Sequence, residues 1–254
     1  MLVHEVSGSD RRIGLLLIHP LGADLRFWDD CVSLWRDSVS CIQLTLRSSA
    51  AAAGARAPVR IDQHAADLEE LRKHLRFAQV VPIGCAIGSM IAAGYAARYG
   101  MATAALVLSN AAARSSPAAR AMLIERAAIV RQGGMAAILP HAFDRGFLEQ
   151  PRDARYHRYY EAFAAQSADD YAFAALAAAD FDVEDDLRRI ACPTLVVSGG
   201  HDVLLPPALS REVAELVPGA ILERLEEAAH YAPFQSPGQF CDLVLGFLRK
   251  VKVT

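Results

Sequence analysis

The stretch Gly84-Cys85-Ala86-Ile87-Gly88 connects a short apolar run to a run of small residues. The apolar run before it, Val80-Val81-Pro82-Ile83, has the length and composition of a buried strand, and residues 89–97 (SMIAAGYAA) predict a helix. Glycines two positions before and after residue 86 are typical of a sharp strand-to-helix turn that carries a nucleophile at its apex. Here the apex is Ala86, and its methyl group cannot attack a carbonyl.

Two later segments supply the side chains that would act with such a nucleophile. Residues 194–202 (TLVVSGGHD) predict a strand and a glycine turn that ends in Asp202, and residues 221–225 (ILERL) predict a strand that precedes His230. A lone carboxylate is often a helix cap, and a lone C-terminal histidine is often a surface residue. Because turn, acid and histidine follow one another in the chain order of a Ser-Asp-His triad, we predict Asp202 as the acid and His230 as the general base.

The remaining patterns alternate between strand and helix. Apolar runs of strand length occupy residues 2–5, 13–18, 39–44 and 104–109, and helical spacing covers residues 61–75. Continuous apolar runs are typical of strands that are buried on both faces of a sheet. The predicted fold class is therefore α/β, with a mostly parallel, doubly wound sheet.

One long stretch breaks this alternation. Helical patterns dominate residues 116–190, and Ser116-Pro117 and Ser167 have the character of helix starts. We predict that this stretch is a helical cap inserted within a single domain of residues 1–254. A closing amphipathic helix is predicted over residues 236–251.

The composition restricts the classes of partner. The chain has 254 residues, a formal net charge of −3 and 53% hydrophobic residues, so no nucleic-acid partner is expected. No apolar run reaches the roughly 20 residues that span a bilayer, and the first residues lack a signal-peptide pattern, which predicts a cytoplasmic protein with no membrane partner. The five cysteines are odd in number and mostly in apolar segments, which predicts reduced thiols. The eight histidines lack metal-ligand spacing, so we expect neither a metal nor another cofactor.

These motifs together resemble the α/β-hydrolase superfamily and, within it, the 3-oxoadipate enol-lactonases. The similarity extends over nearly the whole chain. It is most specific in residues 20–29 (PLGADLRFWD), 84–91, 108–112 (LSNAA), 133–136 and 167–171, and around Asp202 and His230.

The resemblance implies a catalytic triad with Ala86 at the nucleophile position, Asp202 as the acid and His230 as the base. It also implies an oxyanion hole formed by the backbone N–H groups of Leu21 and Ile87. The implied activity is hydrolysis of a small carboxylic ester or lactone. The small-molecule partner would be an anionic lactone or a keto acid.

Candidate substrate contacts come from the loop that follows residue 18, from the segment after residue 44 and from the cap. Trp28 and Phe143 are the aromatic candidates. An anionic substrate calls for a cationic contact, for which Arg26, Arg47 and Arg145 are the candidates.

Two features depart from the family pattern. One is Ala86, which closes the covalent route and predicts an inactive or strongly impaired hydrolase. The other is the segment 45–49 (TLRSS) with the alanine-rich loop at 50–55, where the family carries an aspartate and a glycine-rich turn. Cys85 and Ser89 are not expected to replace the serine, because Cys85 should point into the core and Ser89 lies on the first helical turn.

Three interpretations of Ala86 stay open on the sequence alone. It is an introduced serine-to-alanine substitution, or it belongs to an enzyme whose Asp202–His230 pair acts as a base on water or on a carbon acid. In the third interpretation the chain binds a ligand without catalysis. His19, in the loop before Leu21, is expected to bond the backbone and fix that loop.

Overall fold

A computed structural model describes residues 1–49 and 57–253 of the chain. The predicted alanine-rich loop at 50–55 lies outside these residues. Within the described ranges the strands form one seven-stranded sheet. The strands are β1 (Val3–Ser7), β2 (Ile13–Ile18), β3 (Ser40–Thr45), β4 (Gln79–Cys85), β5 (Leu106–Ser109), β6 (Thr194–Gly199) and β7 (Ile221–Leu225).

The sheet order is β1-β3-β2-β4-β5-β6-β7. Only the edge pair β1 and β3 is antiparallel among the described strands, and every other neighbouring pair is parallel. Strands β3, β5 and β6 are buried at every residue, as the continuous apolar runs predicted. The predicted α/β-hydrolase architecture with a mostly parallel sheet is confirmed.

Helices connect the strands on both faces of the sheet. In the described part of the chain they are α1 (Asp29–Trp35), α2 (Ile61–His74), α3 (Ile87–Arg98), α4 (Pro117–Gly133), α5 (His141–Asp144), α6 (Ala154–Ala164), α7 (Ala168–Ala179), α8 (Glu184–Arg189), α9 (Pro207–Leu216), α10 (Ala232–Gln235) and α11 (Pro237–Lys250). Short 3₁₀ turns lie at Leu25–Trp28, Arg47–Ser49, Gly100–Ala102, Met135–Ile138 and Arg145–Phe147. No helix among these residues has the length and apolar character needed to cross a membrane.

The two predicted helix starts in the cap are correct. The Ser116 hydroxyl accepts a hydrogen bond from the N–H of Ala119 at 3.1 Å, which caps α4, and Pro117 follows as the first helical residue. The Ser167 hydroxyl accepts from the N–H of Asp170 at 3.3 Å and caps α7 in the same way.

The helical insertion leaves and re-enters the sheet through two adjacent segments. The Ser115 N–H donates to the Phe181 carbonyl at 2.9 Å, and the Val183 N–H donates to the Ala113 carbonyl at 2.8 Å. Helix α8, beyond this neck, packs against α3 and α9. The predicted cap, residues 116–190, begins directly after the first of these hydrogen-bonded segments and includes the second segment and α8.

Close backbone packing fixes the turn between β4 and α3. A methyl group on Gly84 would lie 2.1 Å from the Gly88 carbonyl oxygen, and one on Gly88 would lie 2.4 Å from the Ile18 carbonyl oxygen. Neither backbone can move away without separating α3 from the centre of the sheet. The two glycines of the motif are thus required by contact between backbone atoms.

We expect Gly84→Ala to lower the free energy of unfolding by about 3 kcal/mol, because the added methyl group overlaps a backbone carbonyl. Gly246→Ala is the matched control, since Gly246 lies within α11 with no heavy atom near the added carbon. The control should stabilise the protein by about 1 kcal/mol through helix propensity. Urea unfolding of both variants measures the difference, and equal stabilities would contradict the packing argument.

Candidate active site

Ala86 occupies the apex of the turn in a strained backbone conformation. Its φ is 51° and its ψ is −116°, a region that residues with a β-carbon rarely adopt. The turn is held by the Ala86 N–H, which donates to the Ser109 carbonyl at 3.0 Å, and by Ser89, whose N–H and hydroxyl donate to the Ala86 carbonyl at 2.9 and 2.6 Å. Such conformations cost about 1–3 kcal/mol and persist where the surroundings enforce them. The scaffold of a nucleophile turn is therefore complete although the side chain is a methyl group.

Asp202 and His230 form the hydrogen-bonded pair that the sequence predicted. Nδ1 of His230 lies 3.0 Å from Oδ2 and 3.1 Å from Oδ1 of Asp202. Asp202 follows β6 and His230 follows β7, so both lie beyond the carboxyl ends of neighbouring parallel strands. Both residues are buried. We call this pair the dyad.

Fixed donors hold the Asp202 carboxylate in its ionised form. The N–H groups of Leu204 and Leu205 donate to Oδ1, each at 2.9 Å, and the Asn110 amide donates to Oδ2 at 2.9 Å. Burial raises the pKa of Asp202, but the charge and hydrogen bond of His230, together with these donors, outweigh it and bring the pKa below its ordinary value of 3.8. An ionised Asp202 accepts the Nδ1 proton of His230 in either protonation state of the ring, so in the neutral form the free lone pair lies on Nε2.

Asn110 is a supporting residue that the sequence analysis did not assign. It directly follows β5, is fully buried and has a φ of 50°. Its amide also donates to the Ala229 carbonyl at 2.9 Å, and the Ser109 hydroxyl donates to its Oδ1 at 2.8 Å. It therefore ties the end of β5 to both segments that carry the dyad. The sequence did contain a signal for Asn110, since it is a polar residue at the end of a predicted buried strand and lies in the stretch 108–112 that supports the family resemblance.

His19 fixes the loop that contains Leu21. Its Nδ1 lies 2.8 Å from the Pro20 carbonyl, and its Nε2 accepts the N–H of Leu46 at 3.0 Å. The side chain is fully buried, and burial lowers the pKa of His19 to about 4. It thus acts as the expected loop-fixing histidine, neutral at physiological pH.

A cavity of about 400 Å³ lies between the turn, the dyad and the cap. Ala86, His230, Leu21 and Ile87 all line it. The other residues in its wall are Met90, Ala112, Ala113, Arg114, Ser115, Ser116, Pro117, Ala119, Met122, Leu123, Arg126, Ala142, Tyr171, Leu204, Leu205, Leu209, Glu212 and Tyr231. Within the described residues, the backbone N–H groups of Leu21 and Ile87 donate no hydrogen bond to another protein group. These two donors are therefore free for a ligand, as an oxyanion hole requires.

The charged side chains of this cavity differ in their pairing. Arg114 forms ion pairs with Glu184 and Glu212. Arg126 lies on the cavity face of α4 and makes no ion pair with a carboxylate in the described part of the chain. Burial raises the pKa of Tyr171, and the charge of Arg126 partly opposes this rise. Arg126 is the cation available to a bound anion.

The residues predicted as substrate contacts do not line this cavity. Trp28 and Phe143 are fully buried, and their rings pack against other aromatic rings of the core. Arg47 pairs with Asp67.

The remaining two arginine candidates also lie outside the cavity wall. Arg26 pairs with Asp24 at the surface, and Arg145 is exposed. Sequence spacing located the loop and the cap but not the direction of each side chain. The sequence analysis did not predict Arg126 as a cavity residue, because α4 carries several charged residues and the helical pattern does not distinguish among them.

Neither neighbour of Ala86 that carries a hydroxyl or thiol replaces the missing nucleophile. The Cys85 thiol is fully buried and lies 3.7 Å from the His230 carbonyl oxygen, and burial raises its pKa well above the ordinary value. The Ser89 hydroxyl is committed to the Ala86 carbonyl. Across the described residues, no group of three or more His, Cys, Asp or Glu side chains is arranged to hold a metal ion.

Comparisons with known proteins identify the family and the fold. The family model described as alpha/beta hydrolase fold matches residues 45–237. The chain is 27% identical over 253 residues to 3-oxoadipate enol-lactonase 2 of Acinetobacter baylyi, which covers 98% of this chain and 93% of that protein. The resemblance to the enol-lactonases is thereby confirmed.

Solved structures give the same result for the fold. An enol-lactonase from Burkholderia xenovorans LB400 has a TM-score of 0.89 and 25% identity, covering 98% of this chain and 96% of that one. A thermophilic esterase from Thermogutta terrifontis, solved with malate bound, has a TM-score of 0.89 and 26% identity, covering 98% and 93%.

The neutral, buried His19 predicts a loss of stability in acid. Its pKa in the folded protein is about 4 and its ordinary value is 6.5, so below pH 6.5 the unfolded chain binds a proton that the folded chain excludes. The contribution of the neutral His19 to the free energy of unfolding is fully present above pH 6.5 and is lost as the pH falls from 6.5 towards 4. At pH 5 the loss from this residue should be about 2 kcal/mol.

Urea unfolding at pH 8 and pH 5 measures this effect in the unmodified protein and in His19→Asn. The variant should show a smaller decrease between the two pH values. His74→Gln is the control, because His74 is exposed on α2, and its decrease should match that of the unmodified protein. An equal decrease in His19→Asn would show that His19 does not carry the effect.

Proposed function

This chain belongs to the alpha/beta hydrolase fold family, and on that premise we propose that its cavity binds a small carboxylic ester or lactone in position for hydrolysis. The proposal includes a strongly impaired turnover, because Ala86 supplies no nucleophile. The observation that carries it is the convergence of four features on one cavity: the nucleophile turn, the dyad and the two free N–H groups of Leu21 and Ile87.

The geometry supports acyl transfer as the reaction class. A carbonyl above the turn accepts hydrogen bonds from the N–H groups of Leu21 and Ile87, which stabilise negative charge on its oxygen. With a serine at position 86, Nε2 of His230 would take the hydroxyl proton, and Asp202 would stabilise the imidazolium that results. The same nitrogen would then activate water to release the acid.

Ala86 leaves only part of this machinery. Carbonyl polarisation and a general base remain, whereas covalent catalysis is closed. Loss of a triad serine typically leaves a residual acceleration of about 10³–10⁴ over water. The chain as written should therefore bind its substrate and turn it over slowly.

Arg126 supports an anionic substrate. It enters the cavity from α4, while the other arginine of the wall, Arg114, is neutralised by Glu184 and Glu212. A guanidinium suits a carboxylate because it offers paired N–H donors. We therefore propose a substrate that carries a carboxylate in addition to its ester or lactone group, in keeping with the relative named as an enol-lactonase.

We place this activity in the cytoplasm. The five cysteines are all free thiols in the structure, as is usual for a reducing compartment.

We expect Ala86→Ser to raise ester hydrolysis by at least about 10³-fold, because the strained turn already holds residue 86 in the wall of the cavity that His230 also lines. The measurement is kcat/KM on a short p-nitrophenyl ester for the unmodified protein and the variant. Ala112→Ser is the matched control, since it adds a hydroxyl to the same cavity at a residue outside the turn, and it should show no gain.

The gain should also depend on the dyad. Ala86→Ser combined with His230→Gln should return to the low rate of the unmodified protein. A folded Ala86→Ser protein without increased hydrolysis would exclude the hydrolase proposal.

The role of Arg126 predicts a charge-selective change in KM. In the Ala86→Ser background, Arg126→Gln should raise KM for a monoester of succinate by about tenfold, the effect of losing one hydrogen bond to a charged group. KM for the neutral butyrate ester should change little. Arg131→Gln is the control, because Arg131 is an exposed arginine on the same helix and lies outside the cavity wall. Equal changes for the anionic and neutral esters would contradict an anion site.

A further inference from the structure

We propose that the chain with Ala86 catalyses proton transfer on carbon acids. In this activity His230 removes a proton from the carbon next to a ketone, and the ketone oxygen is bound by the N–H groups of Leu21 and Ile87. The inference uses the same carbonyl site as the proposed function, but it requires no ester, no leaving group and no nucleophile.

The first support is the absence of any competing nucleophile in the described wall of the cavity. The Ser115 hydroxyl donates to the Ala178 carbonyl at 2.5 Å, and the Ser116 hydroxyl caps α4. Ser89 and Cys85 are held by backbone carbonyls, and burial raises the pKa of the Tyr171 and Tyr231 phenols. Chemistry at the turn is therefore left to the base.

The second support is that the base is fully assembled. Asp202 accepts hydrogen bonds from Leu204, Leu205 and Asn110 as well as from His230, so the imidazole is fixed in orientation and in tautomer. His230 also lines the cavity. A histidine that only stabilised the fold by pairing with the Asp202 charge would not need this position. The dyad retains what general-base catalysis requires after the nucleophile is lost.

The third support is the apolar character of the surface near this base. Ala86, Met90, Ala112, Leu204 and Leu205 line the cavity with carbon atoms. A methyl group at position 86 neither donates nor accepts a hydrogen bond, and an ordered water is typically held by two to four polar partners. The space vacated by a serine hydroxyl thus suits a substrate carbon better than a hydrolytic water.

The negative charge that develops in this reaction also has partners. The enolate oxygen lies at the Leu21 and Ile87 N–H groups, and Ile87 is the first residue of α3, whose N-terminus favours negative charge. Arg126 can bind a carboxylate elsewhere on the same molecule. The substrate class is therefore a small keto acid.

The step is balanced without a further reactant. The C–H bond breaks, its electron pair forms a carbon–carbon double bond, and the carbonyl π electrons move onto oxygen. The proton forms an N–H bond at Nε2 of His230. Return of that proton to carbon regenerates the ketone, and in D₂O a deuteron is returned instead.

The test is hydrogen exchange of 4-oxopentanoate in D₂O, followed by ¹H NMR at the methylene next to the ketone, with the unmodified protein. Exchange should exceed the buffer rate by about 10²-fold, the usual scale for a positioned general base. Enzymatic exchange should replace only one of the two methylene hydrogens, so that the methylene signal falls to half, because a bound substrate presents one face to His230. Exchange at the buffer rate, or equal exchange of both hydrogens, overturns the inference without the need for any variant.

Variants assign the base. His230→Gln should lose the stereoselective exchange, and His74→Gln, an exposed control on α2, should retain it. Stereoselective exchange in a folded His230→Gln protein would also overturn the inference. Ester hydrolysis by Ala86→Ser is a separate measurement. If Ala86→Ser hydrolyses esters but the unmodified protein does not exchange hydrogen, only this inference is excluded. If the unmodified protein exchanges hydrogen but Ala86→Ser does not hydrolyse esters, only the proposed function is excluded.

Discussion

The structure depends on the close contact between β4 and the start of α3. Gly84 and Gly88 bring two backbones together at a distance that no β-carbon permits, and Gly88 also meets the end of β2. This contact seats α3 against the centre of the sheet and forces residue 86 into its strained conformation. The strain is maintained by packing around the turn, so the scaffold is kept although its side chain is only a methyl group.

The dyad is organised by the topology of the sheet. The carboxyl ends of β5, β6 and β7 are neighbours, which brings Asn110, Asp202 and His230 together from distant parts of the chain. Burial raises the pKa of Asp202, but the histidine and the fixed donors outweigh it and bring the pKa below its ordinary value. That charge sets the tautomer of His230 and leaves its second nitrogen basic, which is the property that both proposed activities use.

The predicted cap forms part of the cavity wall. It contributes α4, whose residues from Pro117 to Arg126 form one wall, and the neck beside it carries Arg114 with its acidic partners. One arginine is neutralised while the other is available to a ligand. In the proposed function, the ends of the strands thus carry the reacting groups, and Arg126 on α4 favours an anionic substrate.

The sequence by itself determined the strand and helix alternation, the turn around Ala86 and the pairing of Asp202 with His230. These follow from local periods and from glycine spacing, which act over a few residues. Only the tertiary structure decided that Asn110 and Arg126 face the site, whereas Trp28 and Phe143 pack in the core and Arg47 and Arg145 lie outside the cavity. The period of a helix fixes which residues share a face, but the element that covers that face is set by contacts distant in sequence.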